Sequence, residues 1–455
     1  MIIEVLYLAA TVLFIVGLKM MSGVPTAKTG NLLSAVGMGL AILATLMRGG
    51  EFTWTQIIAG IVVGSVIGVV SATKVQMTAM PQMVALFNGV GGGASQLVAI
   101  AELYRSGSEL PLIALIAVQL SVFVGALTFS GSVVAFAKLQ ELMPGRPILF
   151  TGQHWINVLL LLGAILLGGW VTVDPGAWGP FILLNLVGLV LGILVVIPIG
   201  GADMPVVISL LNSYSGVAGA TTGFVLFNNA LIITGSLVGA SGIILTNIMC
   251  KGMNRSLTNV LFGGFGAVST AGSTTISATG AVSEGTIDDA VTVLQNAQQV
   301  IIVPGYGMAV SQAQHALREV GDLLSSDGAT VKYAIHPVAG RMPGHMNVLL
   351  AEANVSYDQI CDLEDINDEF SKTDAVIVVG ANDVVNPGAK TNPSSPIYGM
   401  PILNVDEART VIVLKRSMSP GFAGIDNELF VLPNTMMVFG DAKQTLTKMV
   451  QGLKN

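Results

Sequence analysis

Long apolar runs recur through the first 250 residues of the chain, and each is about as long as a helix that crosses a lipid bilayer. The runs cover residues 2–20, 31–47, 55–73, 80–101, 111–136, 155–172, 179–198, 205–226 and 230–250. About 20 helical residues span a bilayer core, where the backbone must satisfy its own hydrogen bonds. The sequence therefore predicts a polytopic α-helical membrane domain with about nine transmembrane helices.

Charged side chains divide the chain into two parts. Residues 1–250 hold 14 of the 47 charged side chains, and residues 251–455 hold the other 33. This division predicts lipid around the first part and water around the second. The net charge of -7 is modest and no basic block occurs, so a nucleic-acid partner is not expected. Cys250 and Cys361 are far apart in sequence and lie in regions of different character, so neither a metal cluster nor a disulfide framework is expected, and no metal site is predicted.

The cations in the turns between the runs predict an orientation. The turns after the odd-numbered runs carry Lys19, Lys28, Lys74, Lys138, Arg146, Lys251 and Arg255. The other turns carry only Arg48 and Arg105. By the positive-inside rule, the C-terminal half is cytosolic and the N-terminus is outside. The first run has no basic leader or cleavage site, which predicts a retained helix instead of a signal peptide.

Polar residues interrupt the membrane half at a few places. Asn88 and Gln96 are eight residues apart and share a helix face, so they line a wet path or join helices by hydrogen bonds. Asp203 lies in a short connection bracketed by Pro198 and Pro205. An acid at a membrane boundary is a candidate for proton handling. The alternative is that Asp203 caps the N-terminus of the next helix.

Beyond the membrane half, residues 263–286 are rich in Gly, Ser, Thr and Ala, which is typical of a flexible tether. From residue 287 the pattern alternates between strands and helices, which predicts a parallel sheet covered on both faces. Strands are predicted at 300–303, 331–335, 375–379, 401–405 and 411–414, and helices at 288–298, 308–324, 344–353, 357–369 and 440–452. The predicted domains are a membrane domain (1–252), a linker (253–286) and a Rossmann-like α/β domain (287–455).

A glycine turn follows the first predicted strand of the α/β domain. Gly305, Tyr306 and Gly307 begin a G-x-G-x-x-V pattern in which Val310 replaces the usual third glycine. A turn of this kind between a strand and a helix suits the diphosphate of a dinucleotide. NAD sites usually have an acid at the end of the second strand, whereas here that strand ends at His336.

Three further loops follow strand ends, where ligands bind in open α/β sheets. Lys415-Arg416-Ser417 offers two cations and a hydroxyl, which suit a 2′-phosphate and favour NADP over NAD; a solvated surface pair is the alternative. The loop 338–345 combines Arg341 with a helix N-terminus, which suits a diphosphate. The loop 380–387 can bind the nicotinamide-side ribose or amide. No Ser-His-Asp set or metal-ligand spacing is seen, so a cofactor would carry any chemistry.

With these motifs, the chain resembles a known family, the beta subunit of proton-translocating NAD(P) transhydrogenase. The resemblance spans nearly the whole chain. It rests on the stretches 200–207, 211–216, 253–256, 304–310, 336–347, 380–383 and 415–418. Such a member would bind NADP(H) and couple hydride transfer from NADH to NADP⁺ to proton flow into the cytosol.

The resemblance also implies partners and a location. One or more alpha-type subunits would carry the NAD(H) domain, and the heteromeric unit would form a dimer. The chain would be a multi-pass protein of the bacterial inner membrane with its C-terminal domain in the cytosol.

The resemblance further implies particular residues. Asp383 would lie near the nicotinamide and help to link redox state to protonation, while Asp203, Asn212 and Asn88 would belong to the proton path or its coupling. The implied NADP(H)-binding residues are Gly305, Tyr306, Gly307, Val310, Val338, Ala339, Gly340, Arg341, Met342, Pro343, Gly380, Ala381, Asn382, Asp383, Val384, Gly399, Met400, Lys415, Arg416, Ser417, Met418, Phe422, Asp441 and Ala442.

Two positions depart from the family pattern. Asn88 stands where some members have a membrane histidine, so a relay histidine would come from a partner or be unnecessary. Phe422 stands where a tyrosine is expected at the end of the 2′-phosphate loop, which would remove a hydroxyl contact. On composition alone, a transporter or channel with a regulatory nucleotide domain is an alternative function, and a purely structural membrane subunit is a weaker one.

Overall fold

The computed structural model describes residues 2–21, 26–48, 53–76, 79–144, 147–254, 256–262, 282–342, 344–395, 397–421 and 423–454. Arg146, Arg255, Pro343, Phe422 and positions 263–281 of the predicted tether lie outside these residues. The chain divides into two compact units, Met1–Gly200 with Val207–Thr246, and Gly201–Val206 with Asn247–Asn455.

Long helices account for most of the described N-terminal residues. They are α1 (Ile2–Met21), α2 (Ala27–Arg48), α3 (Trp54–Lys74), α4 (Met80–Ser106), α5 (Leu112–Leu139), α6 (Gln153–Val173), α7 (Trp178–Val196), α8 (Met204–Val225) and α9 (Asn229–Gly252). Within the described residues, eight are long and apolar enough to cross a membrane, namely all of these except α8. Helix α8 carries several hydroxyl and amide side chains from Ser209 to Thr222. The predicted helical membrane domain is confirmed.

Close contacts between small residues hold α4 against α5. A Cβ added to Gly92 would lie 2.8 Å from the Cβ of Thr128, and one added to Gly125 would lie 2.6 Å from the carbonyl oxygen of Gly92. A side chain at either position would separate the two backbones. The close packing predicted for the glycines of α4 is confirmed at Gly92 and at Gly89, whose added Cβ would meet Ser132 at 2.9 Å.

The C-terminal residues form a six-stranded parallel sheet in the order β3-β2-β1-β4-β5-β6. The strands are β1 (Gln299–Pro304), β2 (Thr330–Ile335), β3 (Ile360–Asp362), β4 (Ala375–Val379), β5 (Thr410–Lys415) and β6 (Thr435–Phe439). The helices are α10 (Leu257–Phe262), α11 (Ile287–Gln295), α12 (Tyr306–Ser311), α13 (Gln314–Ser326), α14 (His345–Glu352), α15 (Leu363–Ile366), α16 (Gly388–Thr391) and α17 (Ala442–Leu453). This strand order is that of a doubly wound dinucleotide-binding fold, which confirms the predicted fold class.

Both faces of the sheet are covered. Every residue of β4 is buried, as expected for a central parallel strand. On one face, Val376 and Val378 pack in a cluster with Phe370 and Phe430. Helix α17 packs against α11, α12 and α13. The carboxyl ends of β1 and β4 are therefore held rigidly side by side.

Several predicted elements differ from the structure. The predicted strand 401–405 is wrong: this buried apolar segment is a loop anchored by the N–H of Leu403, which donates to the carbonyl oxygen of Val384 at 3.0 Å. The predicted helix 357–369 is instead broken into short turns around β3, because Tyr333 and Ala334 pair with residues 360–361. The predicted helix 308–324 is two helices, separated at Gln312 by a positive φ of 52°.

The N-terminal boundary of the α/β domain lies before the predicted one. Glu284 forms a parallel bridge with Met437 of β6. The N–H of Gly285 donates to the carbonyl oxygen of Met437 at 3.0 Å, and the N–H of Met437 donates to that of Ser283 at 2.8 Å. Residues 283–285 are thus attached to the sheet edge and are not part of a free tether.

Candidate functional site

The carboxyl ends of β1 and β4 lie side by side at the point where the order of the strands reverses, and we call this position the crevice. Ligands of open α/β sheets bind at this kind of position. The N–H of Gly305 donates to the carbonyl oxygen of Val379, and the N–H of Gly307 donates to that of Gly380, both at 2.9 Å. These bonds join the glycine turn after β1 to the loop after β4.

The two glycines of the turn are required by this contact. A Cβ on Gly305 would lie 2.4 Å from the backbone of Ala381, and one on Gly307 would lie 2.7 Å from the Cα of Gly380. The N–H of Met308 also donates inside the turn, to the carbonyl oxygen of Gly305 at 3.1 Å. The amides of Gly307 and Met308, in the turn that was predicted to suit a diphosphate, therefore have partners within the protein.

The loop after β2 supplies the other wall of the crevice. The guanidinium carbon of Arg341 lies 4.5 Å from the ring centroid of Tyr306, within the range of a cation–π contact. The rings of Tyr306 and His345 are 6.3 Å apart between centroids. The Nδ1 atom of His345 accepts the N–H of Arg341 at 3.1 Å. The structure thus brings together a cation, a phenol and an imidazole from two neighbouring loops.

His336, directly after β2, fixes a third loop to this wall. Its Nε2 atom lies 2.7 Å from the carbonyl oxygen of Pro401, and its Nδ1 atom lies 3.2 Å from the N–H of Val338. A carbonyl only accepts and an N–H only donates, so the proton is on Nε2. Burial lowers the pKa of His336 to about 4, opposed by the bond to Pro401. Burial, and then the Arg341 charge, lower the pKa of His345 to about 4.

We expect His336 and His345 to remain neutral from pH 8 down to pH 5. The chain has four histidines, so isotope-labelled imidazoles give a simple NMR titration. Both folded pKa values lie below the ordinary value of 6.5, so the unfolded chain binds more protons between pH 6.5 and 4. The free energy of unfolding should therefore fall as the pH is lowered through this window. His336→Gln should reduce that dependence; titration of the assigned His336 or His345 imidazole near pH 6.5 would contradict the prediction.

Asp383 links the loop after β4 to the loop after β5. Its Oδ2 atom accepts the N–H of Ala423 at 2.9 Å. A Cβ on Gly421 would lie 2.5 Å from the Oδ1 atom, so the carboxylate fills the space beneath that residue. Asn427 also donates to the carbonyl oxygen of Asn382 at 2.9 Å. Asp383 therefore lies against the basic loop that the sequence analysis assigned to the 2′-phosphate.

The two cations of that loop have different environments. Lys415 is half-buried: its ammonium donates to the carbonyl oxygen of Ser419 and lies 5.1 Å from the ring centroid of Phe430. Burial lowers the pKa of Lys415, and the nearby charge of Asp383 opposes the shift. Arg416 and Ser417 are exposed. Arg416 is thus the cation free to meet a ligand from solvent, while Lys415 shapes the loop.

The remaining predicted residues surround these loops. Val310 on α12 is exposed, whereas Ala339, Met342, Ala381 and Val384 are buried in the loops after β2 and β4. Further along the chain, Gly399 has a φ of +77° and Met400 is buried, next to the carbonyl that holds His336. Asp441 accepts the N–H groups of Lys443 and Gln444 and so caps α17, ahead of the buried Ala442. The other predicted binding residues of the described chain, Val338, Gly340 and Met418, lie in the loops after β2 and β5.

In the membrane unit, Asn88 belongs to a polar cluster of three helices. Its Nδ2 atom donates to the Oγ atom of Ser132 on α5 at 3.2 Å, and its Oδ1 atom accepts the hydroxyl of Ser215 on α8 at 2.6 Å. Gln96 donates to the Oδ1 atom of Asn185 on α7 at 2.7 Å. Both amides therefore join helices, and their partners, on distant segments, were not found by sequence reasoning. Asn212 is half-buried on α8.

Asp203 ends a 3₁₀ turn, Gly201–Asp203, directly before α8. Asp203 is therefore at the N-terminal end of α8 and not in the middle of a helix. This position agrees with its predicted place in the connection between two membrane runs. Both of its proposed roles, proton handling and capping, remain predictions.

The fold and the crevice define a class: a polytopic membrane protein whose α/β domain has the strand order and loop arrangement of a dinucleotide-binding domain. A family model described as NAD(P) transhydrogenase beta subunit matches residues 3–452. Two curated relatives from Rhodospirillum rubrum, both named NAD(P) transhydrogenase subunit beta, are 52% identical to this chain over 457 residues. Each alignment covers 98% of this chain and 98% of the relative.

The chain belongs to the NAD(P) transhydrogenase beta subunit family and is part of an oxidoreductase. This confirms the family resemblance. A beta subunit implies an alpha subunit as its partner. The long apolar helices and the family agree in making it a membrane protein.

Proposed function

We propose that this chain binds NADP(H) in the crevice between β1 and β4 and couples hydride transfer between NADH and NADP⁺ to proton translocation across the membrane. Two observations carry the proposal: the loop after β5 presents the exposed Arg416 and Ser417, and β2 is followed directly by His336 and not by an acid. A 2′-phosphate needs cations and hydroxyls, whereas the ribose 2′-hydroxyl of NAD needs an acid.

The residues around the crevice fit a dinucleotide. Arg341, stacked on Tyr306, offers a planar cation for the diphosphate. The buried Nε2 atom of His345 has no hydrogen-bond partner among the residues that the structure describes. Asp383 connects the loops that would hold the two ends of the cofactor. NADP⁺ held by these residues would supply the nicotinamide that takes a hydride, which is a proton with two electrons, from NADH, so that NADPH and NAD⁺ would be the products.

The chain's own groups orient the cofactor and exclude water. Asp383 keeps the loop after β5 closed through the N–H of Ala423. The contact of Gly305 and Gly307 with the loop after β4 fixes the floor of the crevice. A direct hydride transfer requires a second nicotinamide close by, which we assign to a separate alpha subunit that holds NAD(H). We further propose a dimer of the heteromeric unit.

Proton coupling is assigned to the membrane unit. Asp203 would exchange the proton at the membrane boundary, while Asn88 and Asn212 would contribute to the path. We place the N-terminus outside and the α/β domain in the cytosol of a bacterial inner membrane, on the distribution of lysine and arginine in the turns. Coupling requires that NADP⁺ and NADPH favour different protonation states of the protein.

Arg416→Ala is expected to weaken NADP(H) binding about tenfold or more, because a charged hydrogen bond to the 2′-phosphate contributes about 1.5–3 kcal/mol. NADH binding, which we assign to the alpha subunit, should not change. Lys415→Ala should also weaken NADP(H) binding, by loosening the loop. Calorimetric titration of the purified complex with NADPH and NADH measures both. Lys448→Ala, an exposed lysine on α17, is the control. Unchanged NADPH affinity in Arg416→Ala would show that the 2′-phosphate assignment is wrong.

A further inference from the structure

A buried lysine lies at the end of α5, in the membrane unit. Lys138 is in the last turn of that helix and is only 3% exposed. The sequence predicted that Lys138 lies in the turn after the fifth apolar run, whereas the structure places it in the helix itself. A buried ammonium loses its hydration, so it needs strong partners inside the protein.

The partners of Lys138 are two backbone carbonyls. Its Nζ atom donates to the carbonyl oxygen of Ile197 at 2.5 Å and to that of Ile199 at 2.7 Å. Both residues lie directly after Val196, the last residue of α7. Carbonyls at the C-terminal end of a helix have no partner within the helix and carry partial negative charge, so a cation is stabilised there.

Neutral side-chain amides donate hydrogen bonds to other backbone carbonyls at helix ends. The Nε2 atom of Gln153 on α6 donates to the carbonyl oxygen of Leu194 at 3.1 Å, and that of Gln82 on α4 donates to the carbonyl oxygen of Leu139 at 3.2 Å. An uncharged donor therefore satisfies helix-end carbonyls at this same level of the bundle. Lys138 differs because one group reaches two carbonyls that are separated by Pro198.

The segment that Lys138 holds leads directly to Asp203. It continues through Gly200 and Gly201, which restrain the backbone little. A Cβ on Gly200 would meet only Pro147, at 3.5 Å or more, so close packing does not require the glycine there. The carbonyl oxygen of Ile197 also accepts the N–H of Ile148 at 3.3 Å, and the N–H of Ile199 donates to the carbonyl oxygen of Val196 at 3.1 Å. Lys138 adds a side-chain donor to residues 197–199, so it is one of the groups that hold this segment.

We propose that Lys138 is a positioning residue for proton translocation: its ammonium clamps the carbonyls of Ile197 and Ile199, the residues from which the chain continues to Asp203. The inference rests on the proposed function, because it assigns a part in proton coupling. It concerns the membrane connection alone, so nucleotide binding should not depend on it.

The test compares complexes of the full chain and its alpha subunit that carry Lys138→Met, Lys138→Gln or the control Lys74→Met. Lys74 is an exposed lysine in the last turn of α3. The rate of proton uptake by vesicles and the rate of hydride transfer are both measured. Their ratio gives the number of protons moved per hydride. Hydrogen–deuterium exchange of the peptide covering 196–204 reports the connection directly. Calorimetry with NADPH verifies that each variant is folded.

Lys138→Met should lower the protons moved per hydride about fivefold or more and raise exchange in 196–204 about tenfold or more, with NADPH affinity unchanged. Lys138→Gln, which reaches one carbonyl, should give an intermediate proton ratio and intermediate exchange. If Lys138→Met fails to assemble, Lys138→Gln alone tests the role of Lys138. An unchanged proton ratio or unchanged exchange, in a wild-type complex that does translocate protons, overturns the role of Lys138. A wild-type complex that translocates none overturns the proposed function itself.

Discussion

A chain with Gly305→Ala is expected to bind NADP(H) about 100-fold more weakly and to unfold at a lower denaturant concentration. The added Cβ would lie 2.4 Å from the N and Cα atoms of Ala381. These are backbone atoms, so they cannot rotate away as the end of a side chain can. Overpacking of this kind costs about 1–3 kcal/mol, and the upper value corresponds to the expected loss. The loops after β1 and β4 would separate, and the floor of the crevice would be lost.

Gly328→Ala is the matched control for this prediction. Gly328 lies in the turn before β2, has a φ of +97° and has nothing within 4 Å of an added Cβ. Alanine there should cost about 1 kcal/mol of backbone strain and leave NADPH affinity unchanged. Calorimetric titration and denaturant unfolding of both variants separate a general loss of stability from loss of the site. Equal NADPH affinity in Gly305→Ala and wild type would contradict the assignment of the crevice.

Asp203→Asn is expected to abolish proton translocation and the acceleration of NADPH formation by a proton gradient, because an amide cannot exchange a proton as a carboxylate does. This variant also distinguishes the two roles of Asp203. Asparagine caps a helix about as well as aspartate does, so a residue that only caps α8 would tolerate the change. Vesicles that contain the complex report proton uptake and gradient-driven NADPH formation together.

The control for Asp203→Asn is nucleotide binding by the same preparation. NADPH affinity should be that of wild type, because the substitution is isosteric and outside the crevice. Asp174→Asn, in the turn before α7, adds a matched acid on another membrane connection and should retain proton translocation. Normal proton uptake by vesicles with Asp203→Asn would show that this residue is not part of the proposed proton path.

The sequence predicted an element correctly where the residues of that segment alone determine whether it forms a helix or a strand. The apolar runs gave the long membrane helices, and the β-branched segments 300–303, 375–379 and 411–414 gave central strands. The edges of the sheet were less predictable. Residues 360–362 make a strand only because β2 lies alongside, and 435–439 contains two methionines, which indicate a strand weakly. The loop 401–405 is apolar because it is buried and not because it pairs.

The sequence predicted which loops follow the strand ends, but not the contacts that these loops make. The glycine turn, the loop 338–345 and Lys415-Arg416 were found because ligands bind at strand ends. Contacts between distant segments were not found, since no local pattern encodes them. These include the bond of His336 to Pro401, that of Asp383 to Ala423 and the folding of Lys415 onto its own loop. The same limit applies to Asn88, whose partners are on α5 and α8.

The most direct test of coupled transhydrogenation is the rate of NADPH formation from NADH and NADP⁺ by the complete complex in sealed vesicles. The rate is recorded with a proton gradient imposed in either direction and after the gradient is collapsed by an uncoupler. We expect formation to accelerate several-fold when protons flow toward the side of the α/β domain, and to slow when the gradient is reversed. Equal rates under all three conditions would contradict coupling between hydride transfer and proton translocation.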